Sequence, residues 1–356
     1  MVESTIVLDR VRGALLGGAV GDALGAPIEF MDLARIRTRF GTGGTTGFVS
    51  NRAVPCEVTD DTQMTLFTAE GLLRWRPGTD PAPALRHAYL RWLRTQRRRE
   101  PPPHNDSWLA EQQFLYAVRA PGTACLRGLD QQLRGLRTPH RVGKPGPLNP
   151  DSKGCGAVMR SAPFGLAGFG PDMAFAFAGR CAQLTHGHPT GYLAAGALAA
   201  LLDRVLNGTE LTVAVRDTIA QLTEVTGAQE TVAALRHAVE CDAAGAASPE
   251  RVEAVGAGWV AEECLAIGVY CALYAARTGD IRGALLLSVN HSGDSDSTGS
   301  VAGNLLGVTH GLSALPTEWV TAVEGHATIL RVADDLVANF FLRDRTALGG
   351  RYPFED

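Results

Sequence analysis

Small and apolar residues recur every three to four positions through most of this chain, the period of one face of an α-helix. The pattern predicts helices over 6–25, 62–75, 82–97, 108–118, 173–183, 191–206, 211–225, 228–240, 259–277, 280–288, 299–312 and 317–341. No convincing alternation of apolar and polar residues appears, and no repeat of 20–50 residues. The expected class is all-α, with residues 1–356 forming a single domain of a dozen or more helices.

The first helical segment sets Val7, Val11, Ala14, Leu15, Gly18, Ala19 and Asp22 on one spacing and is crowded with Gly13, Gly17, Gly18, Gly21 and Gly25. Each glycine inside a helix costs about 1 kcal/mol relative to alanine. So many together predict very close backbone packing at the domain centre. Two stretches break the pattern. Residues 41–57, with five glycines and threonines after Gly41-Thr42, read as loop. Residues 98–152 hold eight of the nineteen prolines and read as a long excursion with one helix inside.

Composition sharpens this picture. Apolar residues make up 45% and aromatics 6%, so alanine, leucine and valine carry the core. The net charge of −4 gives no case for nucleic acid or an anionic membrane as the main partner. Arg94 to Arg99, with four arginines in six residues, is the local exception. It reads as a solvated helix end before Pro101-Pro102-Pro103, or as a contact for an anionic macromolecular substrate. Seven scattered cysteines without a CxxC read as reduced thiols. No signal peptide and no run of about 20 apolar residues is seen, so a cytoplasmic protein without a membrane partner is expected.

The candidate chemistry is oxygen-rich. His291-Ser292-Gly293-Asp294-Ser295-Asp296-Ser297-Thr298-Gly299 packs two carboxylates and three hydroxyls into five residues between two apolar runs. About 230 residues earlier stands Thr59-Asp60-Asp61-Thr62. Each reads alone as a helix cap. Together they suggest a two-metal centre, because Mg²⁺ and Mn²⁺ prefer carboxylate, hydroxyl and water oxygens. Asp294-Ser-Asp296-Ser-Thr298 also fits the DxDx[ST] signature of aspartate-nucleophile phosphohydrolases, but no βαβ pattern surrounds it. Glu29, at a Pro-bent helix exit, is a surface residue or an acid/base group whose pKa burial would raise. Ser152 to Arg160 reads as a glycine turn entering a helix, where a phosphate could sit. His186 and His188 read as hydrogen-bonding imidazoles rather than a metal pair, and His291 as a loop donor.

With these residues in hand, the chain resembles the ADP-ribosylglycohydrolase family. The matching segments are Gly13–Gly17 through Gly21–Gly25, Ile28-Glu29-Phe30, Thr59–Met64, Met159-Arg160, Thr185-His186 with His188-Pro189, and Asn290 through Gly303. The resemblance implies an all-α orthogonal multi-helix bundle holding two Mg²⁺ or Mn²⁺ ions. It implies ligation by Thr59, Asp60 and Asp61 from one side and by Asp294, Asp296 and Ser297 from the other. It places Glu29 beside the metals, where it acts in catalysis or gates substrate entry, with Asp294 and Asp296 as the other catalytic candidates. Ser152, Gly154, Cys155 and Gly156, with His186, fall to substrate binding near the diphosphate. Many members have Thr where this chain has Ser297.

The implied activity is metal-dependent removal of ADP-ribose from a modified protein, nucleic acid or small-molecule acceptor, by cleavage at C1″. A monomer is expected, although no residue pattern speaks to oligomeric state. The competing expectation is a non-catalytic ADP-ribose binder or structural protein on the same scaffold. The excursion at 98–152 is longer and more basic than in compact members. Asp106 is a conceivable acceptor-recognition residue there.

Overall fold

The computed structural model describes residues 2–49, 56–138 and 140–355. Sixteen α-helices appear among them, with three isolated bridges and no sheet. In order they are α1 (Val2–Gly25), α2 (Leu33–Phe40), α3 (Asp60–Arg74), α4 (Ala82–Thr95), α5 (Thr123–Leu133), α6 (Ala162–Gly165), α7 (Pro171–Ala182) and α8 (Pro189–Leu206). There follow α9 (Leu211–Thr223), α10 (Gln229–Ala243), α11 (Pro249–Val255), α12 (Ala261–Thr278), α13 (Ile281–Val289), α14 (Ser295–His310), α15 (Thr317–Ala322) and α16 (His326–Phe340). The all-α class is as the periodicity predicts. The main apolar core draws on residues from Val11 to Tyr352, and a smaller cluster gathers around Val252, Ile267 and Tyr270.

The centre of the fold is the antiparallel pair α1 and α14. A Cβ on Gly13, Gly17 or Gly21 would lie within 2.6, 2.3 and 1.9 Å of the carbonyl oxygens of Gly307, Gly303 and Gly299. The two backbones therefore touch at every fourth residue on both sides, and no side chain fits between them. The glycine crowding of the first helix has this cause. It brings the C-terminal end of α1 against the first turn of α14, which is where the acidic motifs lie.

Several elements depart from the periodic reading. Residues 108–118 form two short 3₁₀ turns, Leu109–Glu111 and Gln113–Leu115, instead of a helix. The stretch 317–341 breaks between Ala322 and His326: Val323 turns extended and caps the first helix, and Gly325, with a φ of +72°, opens the next. The segment after Gly154 makes a 3₁₀ turn, Cys155–Ala157, and not a long helix. Helix α14 starts at Ser295 rather than 299, so Asp296, Ser297 and Thr298 lie in its first turn and Asp294 is its N-cap. Helices α2, α6 and α11, at eight, four and seven residues, are too short to show a sustained helical period. The excursion does hold one helix, but it is α5 at Thr123–Leu133 and not the expected 108–118. Residues 50–55 of the expected 41–57 loop, and Pro139 in the excursion, lie outside the described residues.

Candidate metal centre and active site

Three helix ends converge here. Thr59 is the N-cap of α3, and its hydroxyl accepts from the Asp61 amide at 3.3 Å. Asp60 and Asp61 then occupy the first turn, where the helix dipole favours negative charge. From α1, the fully buried Asp22 holds this turn in place. Its carboxylate accepts from the Thr59 amide at 3.0 Å, the Thr62 amide at 3.1 Å and the Thr62 hydroxyl at 2.5 Å. The sequence pattern shows Asp22 only as a position on the helix face. A charge among glycines and apolar residues was the available signal.

Helix α14 supplies the opposite wall. Asp294 is its N-cap residue but makes no capping bond with its side chain. Its Oδ2 instead accepts from the Cys155 thiol at 2.7 Å. Ser297 donates its amide to Asp296 at 2.9 Å and its hydroxyl to Asp61 at 3.4 Å, which closes the gap between α14 and α3. Glu29, just past the end of α1, joins them: Glu29, Asp294 and Asp296 each place one carboxylate oxygen within 4.8 Å of the others. Two motifs some 230 residues apart in the chain thus face each other across one small volume.

These carboxylates perturb one another. Burial, followed by repulsion from Asp296, raises Asp22 to about 7 and Glu29 to about 9. Burial also raises Asp60, Asp61 and Asp294 well above the ordinary carboxylate range. Asp61 Oδ2 is buried with no hydrogen-bond partner. Uncompensated buried charge is costly. A divalent cation would neutralise this cluster and take up the orphan oxygen. The donors are all carboxylate and hydroxyl oxygens, which suit Mg²⁺ or Mn²⁺. The residues present therefore fit the expected ions.

Beside the carboxylates lies the glycine segment. The Cys155 amide donates to the Trp259 carbonyl at 3.2 Å, which ties the segment to the chain entering α12. A Cβ on Gly156 would lie 2.9 Å from Cys125 Sγ and 3.3 Å from His186 Cε1, so the segment passes directly over the imidazole. His186 is buried, with Nδ1 2.8 Å from the Thr185 hydroxyl. Arg160, buried and stacked 4.4 Å from the centroid of the Tyr89 ring, donates to the same hydroxyl at 2.6 Å. Burial, with Arg160 adding to it, drives His186 down to about 3, so it is uncharged at neutral pH. His188 accepts from the Thr190 amide and caps α8, and buried His291 contacts the Thr298 hydroxyl at 2.8 Å. Both histidines are hydrogen-bonded.

Next to Glu29, Phe30 adopts a positive φ of 65° and stacks on Trp259 with ring centroids 5.2 Å apart. Both rings are substantially exposed, although Trp259 reads from the sequence as the start of a core helix. Asp106 lies elsewhere. Partial burial opposes its ionisation, but Arg91 and Arg94 outweigh that and hold it at about 2. It is the anchor of an arginine cluster.

The sequence profile of ADP-ribosylglycohydrolases matches residues 3–346, nearly the whole chain. The chain belongs to the ADP-ribosylglycohydrolase family. As a member it is a hydrolase of ADP-ribosyl linkages. It is 26% identical over 324 residues to the ADP-ribosyl-[dinitrogen reductase] glycohydrolase of Rhodospirillum rubrum, covering 89% of this chain and 91% of that protein. It is 27% identical over 332 residues to the ADP-ribosylarginine hydrolase Tri1 of Pseudomonas putida (strain GB-1), covering 92% and 78%. Among solved structures, a chain of an ADP-ribosylglycohydrolase-related protein complex superposes with a TM-score of 0.67 at 28% identity, over 94% of this chain and 98% of that one. The family and its all-α architecture agree with the resemblance found in the sequence.

Proposed function

We propose that this protein removes ADP-ribose from arginine on a modified protein by hydrolysing the bond at C1″, with two Mg²⁺ or Mn²⁺ ions as cofactors. The observation that carries the reading is the convergence of Glu29, Asp294 and Asp296 within 4.8 Å, opposite the Thr59-Asp60-Asp61 turn. Thr59, Asp60, Asp61, Asp294, Asp296 and Ser297 are the residues that would hold the ions. When bound, the ions would supply positive charge for the vicinal ribose hydroxyls and Lewis acidity toward water.

The chain's own groups then have distinct tasks. Cleavage builds positive, oxocarbenium-like charge at C1″, and the surrounding carboxylates favour that charge electrostatically. Glu29 is the most exposed of the set, and burial with repulsion from Asp296 pushes it up to about 9. It is the residue suited to carry a proton to the departing acceptor nitrogen and to take one from the attacking water. Asp294 and Asp296 flank it and set its proton affinity.

His186 serves binding. Arg160 donates to the Thr185 hydroxyl, whose hydrogen goes to His186 Nδ1 at 2.8 Å in preference to the Ala182 carbonyl at 3.4 Å. That leaves Nε2–H as a donor beneath the glycine segment Ser152, Gly154, Cys155 and Gly156, where the diphosphate would lie. Arginine as acceptor is the inference drawn from the relatives' names. The hydroxyl at Ser297 keeps every proposed ligand position filled by oxygen, which favours an enzyme over a binder.

The test is ADP-ribose release from a panel of acceptors modified on arginine, serine, nucleic acid or ADP-ribose polymer, each with Mg²⁺, with Mn²⁺ and with EDTA. Metal-dependent release from the arginine conjugate is expected. Release from another conjugate would correct the acceptor. Silence on all, with tight ADP-ribose binding, would replace the hydrolase with a binder.

A further inference from the structure

The arginines of the excursion take no part in the centre described above, yet their charge is extreme. Residues 86–144 hold twelve Arg or Lys and four Asp or Glu, a net charge of +8 in a chain of −4, so the remainder carries −12. The structure gathers much of this charge along α4 and α5. A cleft of about 500 Å³ lies there, walled by Leu90, Leu93, Arg94, Arg97 and the half-exposed Leu133, and also by Asp106 and Glu355, whose carboxylates pair with Arg94 and Arg91. A second, of about 470 Å³, is walled by Ala82, Pro83, Arg86, Arg137 and Arg180. His87 lines both, so they form one groove.

The groove's cations are underemployed. Among the described residues, Arg86 Nε is buried with no hydrogen-bond partner, and Nη2 donates to the Gln132 carbonyl at 3.2 Å. Burial and the nearby Arg137 both depress the Arg86 guanidinium, so two like charges face one cleft. Arg98, Arg99 and Arg137 are exposed and make no ion pair among the described residues. Arg94 and Arg97 pair with Asp106 and Asp130, but all four are about half exposed. Such surface pairs are worth about 0–1 kcal/mol and exchange readily for an incoming carboxylate.

The groove is also connected to the centre. The amide of Gly122, the residue that precedes α5, donates to Asp60 at 3.2 Å, and the far end of α5 carries Gln132 and Leu133 into the groove. Eleven helical residues span about 16 Å. That separation suits a partner that reaches both places, such as a folded protein presenting one modified side chain.

We propose that the α4/α5 groove docks an acidic, leucine-bearing segment of the protein that carries the ADP-ribosyl group. This rests on the hydrolytic reading of the carboxylate centre and names its substrate class further. Aliphatic walls with an arginine rim match a segment of mixed acidic and apolar residues. A single-stranded nucleic acid would need a series of aromatic faces for its bases, and the groove walls present no Phe, Tyr or Trp and only the single imidazole of His87. The −12 on the rest of the chain also opposes a long polyanion.

The test uses the full chain and two fluorescein-labelled peptides of equal length, one of Glu and Leu, one of Lys and Leu. Anisotropy at low salt should show the acidic peptide binding at least tenfold more tightly. Arg86→Glu or Arg137→Glu should remove that preference, and Arg137 is exposed, so its substitution leaves the fold untouched. In kinetics, the KM for ADP-ribosylarginine within the acidic peptide should rise at least fivefold in both variants. The rate on ADP-ribosylagmatine should not change. Equal binding of the two peptides, or variants without effect, would overturn the docking site. Tighter binding of a single-stranded oligonucleotide would overturn it in favour of nucleic acid. Intact peptide binding without turnover of ADP-ribosylagmatine would strike the hydrolytic reading and leave the docking site standing.

Discussion

Gly21 and Gly299 meet backbone to backbone: a methyl on Gly21 would lie 1.9 Å from the Gly299 carbonyl oxygen, and one on Gly299 would lie 2.4 Å from the Gly21 carbonyl oxygen. Gly21 immediately precedes Asp22, and Gly299 follows Asp296 and Ser297 by a few residues on α14. The helix contact and the spacing of the carboxylates are therefore one structural fact. Gly21→Ala should cost roughly 1–3 kcal/mol or more of stability, the range for overpacking a tight core. It should also weaken metal affinity. Chemical denaturation and metal titration of the variant check both; a neutral effect on either would separate the glycine seam from the site.

Asp296→Asn should abolish metal-dependent ADP-ribose release while leaving the far-UV circular dichroism spectrum and Tm of the metal-free protein at or above the wild-type values. Removing one of several repelling buried carboxylates relieves repulsion, so the fold has no reason to suffer. Steady-state rates with Mn²⁺ check this, and full activity would sink the assignment.

Glu29→Gln should lower kcat by a factor of about 10² or more, the usual scale for removing a general acid or base. ADP-ribose affinity, read by calorimetry, should change little. Lost binding with an intact rate would contradict the role given to Glu29.

Thr185→Val should remove the hydroxyl that joins Arg160 to His186. ADP-ribose binding is expected to weaken by up to about tenfold, the equivalent of one hydrogen bond. Nitrogen NMR of the His186 ring should show the proton fixed on Nε2 in the wild type and shared between the two nitrogens in the variant. An unchanged tautomer would leave Thr185 a packing residue only.

Stability without metal should fall as pH rises. Burial and then Asp296 lift Asp22 from 3.8 to about 7 and Glu29 from 4.5 to about 9. Between the ordinary and the raised values the folded protein binds more protons than the unfolded chain, so each unit of pH destabilises it. The stabilisation is complete below about pH 4 in these two groups and lost through pH 7 to 9. Tm in EDTA should drop from pH 5 to pH 9, and excess Mg²⁺ should flatten the slope. A metal-free Tm that climbs over that range would contradict the electrostatics.

Much of this was legible in the chain. Glycines at 13, 17, 21 and 25 cost a helix so much that only a backbone contact explains them, and the structure supplies it in Gly307, Gly303, Gly299 and Ser295. The two oxygen-rich motifs could be paired because neither needed all its acids for capping. Other features depend on neighbours distant in sequence. The bonds of Asp22 to Thr59 and Thr62, and of Cys155 to Asp294, join segments 37 to 139 residues apart, and no local period announces them. Leu109 to Leu115 carries helical spacing yet folds as 3₁₀ turns, because Ser107 and Tyr116 turn toward buried partners around Ala110. Trp259 reads as core by spacing, but its ring packs on Phe30 at the surface, across more than 200 residues.

The most direct measurement is calorimetric titration of Mn²⁺ into metal-free protein, for the wild type and for Asp60→Asn and Asp296→Asn. Two ions per chain in the wild type, with at least one lost in each variant, is the predicted result. A wild type that binds no Mn²⁺, or variants that bind it with unchanged stoichiometry and affinity, would contradict a dinuclear centre between α1, α3 and α14.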